Sequence, residues 1–167
     1  MISKDDSNKI TDKHIILYKQ LISPYELKIE LPLKEETKKT IIYGRESIKK
    51  ILIGKDSRVI VIIGPCSIHN IDSAKEYAKR LKALSDKISD KFLIVMRTYF
   101  EKPRTSIGWQ GFIYDPNLDG SNDINLGLHL SREILLNNAK IGLPSATEYL
   151  ETFTPQYNSD LISWAAI

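Results

Sequence analysis

Read as a succession of hydrophobic and polar positions, the chain changes character near Arg58. Before it, apolar residues recur at helical spacing; after it, short solid apolar runs alternate with longer amphipathic stretches. Ser23-Pro24-Tyr25-Glu26 is a capping box with proline at the first helical position, so a short helix begins there and Pro32 ends it. Lys34 to Ile53 predicts a longer amphipathic helix, with Ile41, Ile42, Ile48, Ile51 and Leu52 as its apolar members and Gly54 as its stop. Val59 to Ile63 is a β-branched run too uniformly apolar for a sheet with one wet face, which predicts a central parallel strand. Asn70 caps a helix through Leu84, on which Ala74, Tyr77, Ala78, Leu81 and Leu84 share a face. Phe92 to Met96 repeats the strand pattern, and Leu126 to Asn138 repeats the helical one, with Gly142 behind it. Ser145 to Glu148 reads as a third strand, Pro155 to Ile162 as a third crossover helix, and Trp164 to Ile167 as the start of a fourth strand. Met1 to Ile22 is polar and turns weakly helical near Ile15 to Leu21.

This alternation is the sequence form of a βαβ series, and therefore of an α/β fold with a parallel sheet. Polar residues follow each strand, and groups placed after strand C-termini form the working face of a (β/α)8 TIM barrel. Eight strands need about 250 residues, of which only about four strands fit here; the chain has 167 residues. The expected architecture is the N-terminal half of a barrel over residues 58–167, behind an N-terminal helical extension over residues 1–57. Half a barrel leaves strand edges unpaired, so the isolated chain is expected to be marginal or prone to aggregate.

Composition narrows the function classes. The net charge of +3 and a pI near 8.8 are mild, and the basic residues are spread through amphipathic stretches, which leaves no concentrated footprint for nucleic acid. A lone cysteine, Cys66, excludes an internal disulfide framework and, with no signal-peptide pattern at Met1 to Ile10, points to a reducing cytoplasm. No apolar run approaches the ~20 residues of a membrane span.

Charge concentrates in one place. Arg97, Lys102 and Arg104 fall within eight residues, with Pro103 stiffening the backbone and Thr105 adding a hydroxyl. A forked guanidinium suits bidentate capture of carboxylate or phosphate, and an ammonium acts as a point charge, so the mixture fits a small polyanion carrying both groups. From the charges alone, a solvated basic loop after a strand is an equally open reading. The turn-rich stretch Gly111 to Asn125 behind it is long enough to be an active-site loop. Cys66, at the end of the first strand, is either a structural thiol or a metal ligand, and His69 three residues on adds only a weak second ligand. His14 and His129 lie in helical segments facing solvent, and Trp109 and Trp164 read as packing residues. Glu148 ends the third strand, where it either pairs with a core arginine or serves chemistry.

The string Met96-Arg97-Thr98-Tyr99-Phe100-Glu101-Lys102-Pro103-Arg104-Thr105, followed by Gly108-Trp109-Gln110-Gly111, resembles the signature loop of the 3-deoxy-D-arabino-heptulosonate 7-phosphate (DAHP) synthases. Gly64-Pro65-Cys66-Ser67-Ile68-His69 resembles the same family's first strand-end motif. The resemblance runs from about Ser23 to Ile167 and is closest to the feedback-regulated enterobacterial type. It implies a transferase that condenses phosphoenolpyruvate with D-erythrose 4-phosphate and water, using a divalent metal, in the first step of the shikimate pathway. It further implies that Arg97 and Lys102 hold the phosphate and carboxylate of phosphoenolpyruvate. The Pro103 backbone, Arg104 and Thr105 would hold erythrose 4-phosphate, and Cys66 would be a metal ligand. Lys102 and Glu148 would be catalytic, Glu148 positioning water near the reacting carbon.

For regulation, the resemblance implies feedback inhibition by an aromatic amino acid in a pocket near a subunit interface of a homo-oligomer. Pro155 and Gln156 match positions lining that pocket, and Asp5 and Asp6 match acids of an N-terminal arm. Thr98, Ala146-Thr147-Glu148 and Leu161-Ile162-Ser163-Trp164 read most like the tryptophan-sensitive type. Gln110 stands where the family has lysine, which removes a positive charge beside the site. The family's other metal ligands, a His, a Glu and an Asp, lie in the half that follows these residues, so the 167 residues alone are expected to be inactive. Two alternatives stand beside this reading: a truncated, non-catalytic product that acts only as an interaction partner, and a related octulosonate 8-phosphate synthase. The Lys102-Pro103-Arg104-Thr105 motif and its long following loop favour the four-carbon sugar.

Overall fold

A computed structural model describes residues 18–104 and 107–167, so Asp5, Asp6, His14 and Thr105 lie outside the described residues. Helices α1 (Pro24–Glu30) and α2 (Glu35–Leu52) precede β1 (Val59–Ile63), α3 (Ile71–Lys87), β2 (Phe92–Arg97) and α4 (Ile124–Lys140). There follow β3 (Ser145–Glu148), α5 (Pro155–Asn158) with a 3-10 turn over Ser159–Leu161, and β4 (Trp164–Ala166). The strands pair in the order β1-β2-β3-β4, every pairing parallel, and curl into a half barrel. The expected α/β architecture is the observed one.

Local chemistry sets the helix starts. The Ser23 side chain accepts the Glu26 N–H while the Glu26 carboxylate accepts the Ser23 N–H at 2.9 Å, which closes the capping box of α1. Asn70 Oδ1 accepts the Ser73 N–H at 2.8 Å and starts α3. Asp123 caps α4, which therefore begins at Ile124, two residues ahead of the apolar periodicity that predicts Leu126. Gly142, at φ 79°, closes its other end.

Alternation along the strands divides their side chains between two environments. Ile94 and Met96 of β2 enter the main core with Ala78 and Leu81 of α3 and Leu128 and Leu135 of α4. Leu93 and Val95, on the opposite face, pack with Ala146 of β3 and Ile48 of α2 in a smaller concave cluster. Arg97 lies two positions beyond Val95, and Glu148 two beyond Ala146. Both therefore continue the concave face at the C-terminal ends of their strands.

Four expectations need correction. β1 is an edge strand with β2 as its neighbour, and Val59, Ile62 and Ile63 are 56, 40 and 44% exposed. A uniformly apolar run signals burial on both faces but cannot say which segment supplies the cover. On α2, Ile42 and Leu52 face outward, and the buried face runs through Thr37, Ile41, Gly44, Ser47 and Ile48. Small residues win that face because the helix comes in close: a Cβ on Gly44 would sit 2.5 Å from Ser163 Oγ. The third crossover helix is a single turn followed by a 3-10 turn, because Asn158 leaves helical geometry at φ −141°. The described part of the weakly helical N-terminal stretch, from Tyr18 to Leu21, is not helical.

One buried arginine ties the helical layer together. Arg132 of α4, 1% exposed, donates to the carbonyls of Leu31 and Tyr157 and makes a two-armed pair with Asp160 at 2.8 and 2.9 Å.

Candidate active site

The candidate site forms where β1 and β2 end side by side, with Ile63 opposite Met96. Gly64 is required there, since a Cβ would come within 2.3 Å of the Arg97 carbonyl oxygen. Beyond it the two loops are laced together: the Ile68 N–H and the Ser67 hydroxyl both donate to the Tyr99 carbonyl, at 2.8 and 3.2 Å. The lacing brings Cys66 under two cations. Its carbonyl accepts from Arg97 Nη2 at 3.1 Å and from Lys102 Nζ at 2.8 Å, and Lys102 Nζ also donates to Cys66 Sγ at 3.1 Å.

The electrostatics follow from that contact. The Lys102 ammonium, helped by the Arg97 guanidinium, holds the Cys66 thiol below its ordinary range, toward the thiolate that is the nucleophilic and metal-binding form. Cys66 is free and exposed. The Arg97 guanidinium lies 4.1 Å from the centroid of the Tyr99 ring, while its Nε is buried without a hydrogen-bond partner. That combination leaves the arginine oriented but with unspent donor capacity.

The loop that carries the remaining cations stands on a clasp. Glu101 bridges Gly111 in antiparallel fashion, and the Lys102 N–H donates to the Gln110 carbonyl at 2.9 Å. Gly111, at φ 114°, admits no side chain, because a Cβ would meet the Phe100 carbonyl oxygen at 2.4 Å. Phe100 and Phe112 are each 1% exposed and anchor the clasp in the core. Pro103 and Arg104 are exposed beyond it, and the Arg104 N–H turns back to the Lys102 carbonyl at 2.8 Å. Trp109 Nε1 donates to the Asp115 carbonyl at 2.8 Å, in keeping with its reading as a packing residue.

β3 brings up the acidic side. The Thr98 N–H and hydroxyl both donate to the Ala146 carbonyl, and the Thr147 hydroxyl donates to the Thr98 carbonyl at 2.8 Å, which locks β3 beside the end of β2. Glu148 is half-buried at this end and forms no ion pair among the described residues, so the alternative of a core arginine partner is not met there. Cys66, Arg97 and Lys102 are thus brought into mutual contact, and Glu148 shares their face of the sheet. Pro155 and Gln156 begin α5 and are half-buried and exposed respectively. His69 is exposed, and Trp164 is 42% exposed at the sheet edge rather than packed.

No cluster of three or more His, Cys, Asp or Glu suited to a metal ion occurs among the described residues. Cys66 nevertheless fits a metal as a single ligand, since it is accessible and drawn toward the thiolate. Among the described residues, no helix is long and apolar enough to cross a membrane. Sequence reasoning gave no role to Tyr99, whose ring backs Arg97, or to Glu101, whose Oε2 accepts the Leu150 N–H at 2.8 Å. The only available signal for Glu101 was a single acid set among three cations.

Comparison with known proteins meets this geometry. Residues 30–167 match the DAHP synthetase I family. The chain is 46% identical over 166 residues to the Tyr-sensitive phospho-2-dehydro-3-deoxyheptonate aldolase of Escherichia coli, across 99% of this chain and 46% of that one. Against the Phe-sensitive enzyme of Escherichia coli it is 49% identical over 156 residues, 93% of this chain and 45% of the relative. For the Trp-sensitive one the figures are 46% over 160 residues, 96% and 46%. Identity is therefore close to level across relatives named for three different inhibitors. The solved structure of phospho-2-dehydro-3-deoxyheptonate aldolase from Francisella tularensis superposes with a TM-score of 0.88 at 48% identity, over 92% of this chain and 45% of that one. The chain spans about half the length of the curated relatives it matches. With sequence and fold in agreement over almost all of its residues, the chain belongs to the DAHP synthetase I family.

Proposed function

We propose that this chain carries the phosphoenolpyruvate-facing part of a phospho-2-dehydro-3-deoxyheptonate aldolase, which condenses phosphoenolpyruvate with D-erythrose 4-phosphate at the start of aromatic amino acid biosynthesis. The convergence of Arg97 and Lys102 on the Cys66 carbonyl, at adjacent strand ends, carries this reading. Two phosphorylated substrates repel one another, and fixed cations must offset that repulsion before a carbon–carbon bond can form. Arg97 is held by its ring contact and by the Cys66 carbonyl, and Lys102 by the same carbonyl, so both can take an anion without first being ordered.

In this reading Arg97 and Lys102 hold phosphoenolpyruvate, while Pro103, Arg104 and Thr105 hold erythrose 4-phosphate farther out on the loop. Glu148, free of ion pairs among the described residues, orients water on the concave face. When bound, a divalent metal supplies a Lewis acid for the aldehyde oxygen, and Cys66 is the described residue fitted to hold it. We assign Pro155 and Gln156 to the pocket of an aromatic amino acid inhibitor, residues 1–57 to regulation and subunit contacts of a homo-oligomer, and residues 58–167 to the barrel. A reducing cytoplasm suits the exposed thiol of Cys66.

The test is steady-state turnover of the intact protein with Lys102→Met. Loss of charge-assisted hydrogen bonds worth about 1.5–3 kcal/mol predicts a KM for phosphoenolpyruvate raised about 10- to 100-fold. An unchanged KM overturns the assignment of Lys102. Turnover by the unmodified protein with arabinose 5-phosphate and none with erythrose 4-phosphate transfers the reading to the octulosonate 8-phosphate synthases.

A further inference from the structure

We propose that Glu101 is the positioning residue of the cationic loop: its buried carboxyl, by accepting the Leu150 N–H, sets the loop after β2 against the turn after β3. The inference rests on the anion-binding reading of Lys102.

Glu101 is the one acid in a segment that carries Arg97, Lys102 and Arg104, and the expected fate of such a residue is an ion pair with a neighbouring cation. It makes none among the described residues. It is 3% exposed, and its partner is a main-chain amide 49 residues away. Where Glu101 bridges Gly111 the chain is extended, so neighbouring side chains diverge: Glu101 turns into the protein and Lys102 turns to Cys66. Turned inward onto the Leu150 amide, the acid forms no ion pair with Arg97 or Lys102 among the described residues, which leaves both cations free of a carboxylate partner.

The same hydrogen bond spans the site. Lys102 directly follows Glu101, and Leu150 lies two residues beyond Glu148, so the 2.8 Å contact ties the stretch of main chain that bears Lys102 to the one that follows the acid of β3. The Thr98 and Thr147 bonds join β2 to β3 at the strand ends, and among the described residues the Glu101–Leu150 bond is the tie that joins the loop beyond them. Pro103 and Arg104 are exposed, and the Glu101–Gly111 clasp holds the loop to itself, not to β3. The Thr154 hydroxyl and the Glu151 amide lie near the carboxyl, yet Oε1 is buried without a well-formed hydrogen bond, so the Leu150 amide is the principal tie.

The experiment compares Glu101→Gln, Glu101→Met and Lys102→Met in the intact protein by steady-state kinetics with phosphoenolpyruvate and erythrose 4-phosphate. Glutamine keeps an oxygen for the Leu150 N–H, and methionine fills the space without one. The expected result is KM within about twofold of the unmodified protein for Glu101→Gln and raised about tenfold or more for Glu101→Met, with kcat less affected. A purely structural role would deplete folded enzyme, lowering apparent kcat and leaving KM alone. If Glu101→Met does not fold, Leu150→Pro removes the donor from a partly exposed position and must raise KM in the same way. An unchanged KM in the acceptor-free or donor-free variant, or equal damage from glutamine, overturns the role of Glu101 while leaving the anion site standing. An unchanged KM in Lys102→Met overturns both.

Discussion

Glu101 also ties the stability of the protein to pH. Burial raises its carboxyl above the ordinary 4.5, and the titratable groups that face it are the Glu151 carboxylate and the phenols of Tyr114 and Tyr149, themselves pushed upward. The folded protein therefore holds this proton more tightly than the unfolded chain. The contribution to stability is complete below pH 4.5 and is lost as pH rises through the folded value. Glu101→Gln, which cannot ionise, is expected to melt with the unmodified protein near pH 4 and above it near pH 8, in thermal melts of the intact protein. A gap that widened toward acid would contradict the assignment. Arg97, Lys102 and Cys66 drew notice in the sequence because they follow two solid apolar runs, but it was the resemblance and not the spacing that grouped them, and their mutual contact is what the structure adds. Glu101 was not legible, since a buried acid and a solvated one look alike until the residue that meets them, Leu150, is brought in from a distant part of the chain.

Among the elements, α4 is the organising piece, and Arg132 is the reason. Its guanidinium serves the C-terminal end of α1 through Leu31, the end of α5 through Tyr157 and the 3-10 turn through Asp160. Arg132→Met would leave the Leu31 and Tyr157 carbonyls without this donor and the partly exposed Asp160 carboxylate without its partner. The expected loss is about 2–3 kcal/mol, read from the denaturant midpoint of the intact protein. Helix starts were legible because Ser23 and Asn70 announce them with side chains that bond within the next turn. Helix faces and ends were less so. Ile42 and Leu52 have the composition of a buried stripe, but the approach of α2 is set by Gly44 against Ser163, a tertiary contact that periodicity does not encode. Asn158 ends α5 early for the same kind of reason, with its side-chain oxygen accepting from the Tyr149 hydroxyl at 2.8 Å.

At the scale of the molecule, β1 and β4 each offer an unpaired edge, flanked by Leu52, Ile53, Val59, Ile62, Ile63 and Trp164, all exposed. Apolar edges of this kind pair with whatever strand meets them. The 167 residues expressed alone are expected to self-associate as concentration rises and to show no turnover, which light scattering behind a sizing column and a coupled assay would record. A monodisperse monomer across the concentration range would count against that expectation. The parallel order of the strands was readable from the βαβ rhythm, whereas the exposure of β1 was not, because Val59-Ile-Val-Ile-Ile63 carries the composition of a covered strand whether or not its cover is in view.

The acceptor that gathers Arg97 and Lys102 is a main-chain oxygen, the carbonyl of Cys66. Every residue that could stand at that position brings the same oxygen with it. The main-chain anchor of the two cations is therefore inherited from the path of the chain through Gly64 and Ser67, whichever residue stands at position 66. A change of the thiol costs Lys102 its second contact and leaves that anchor in place.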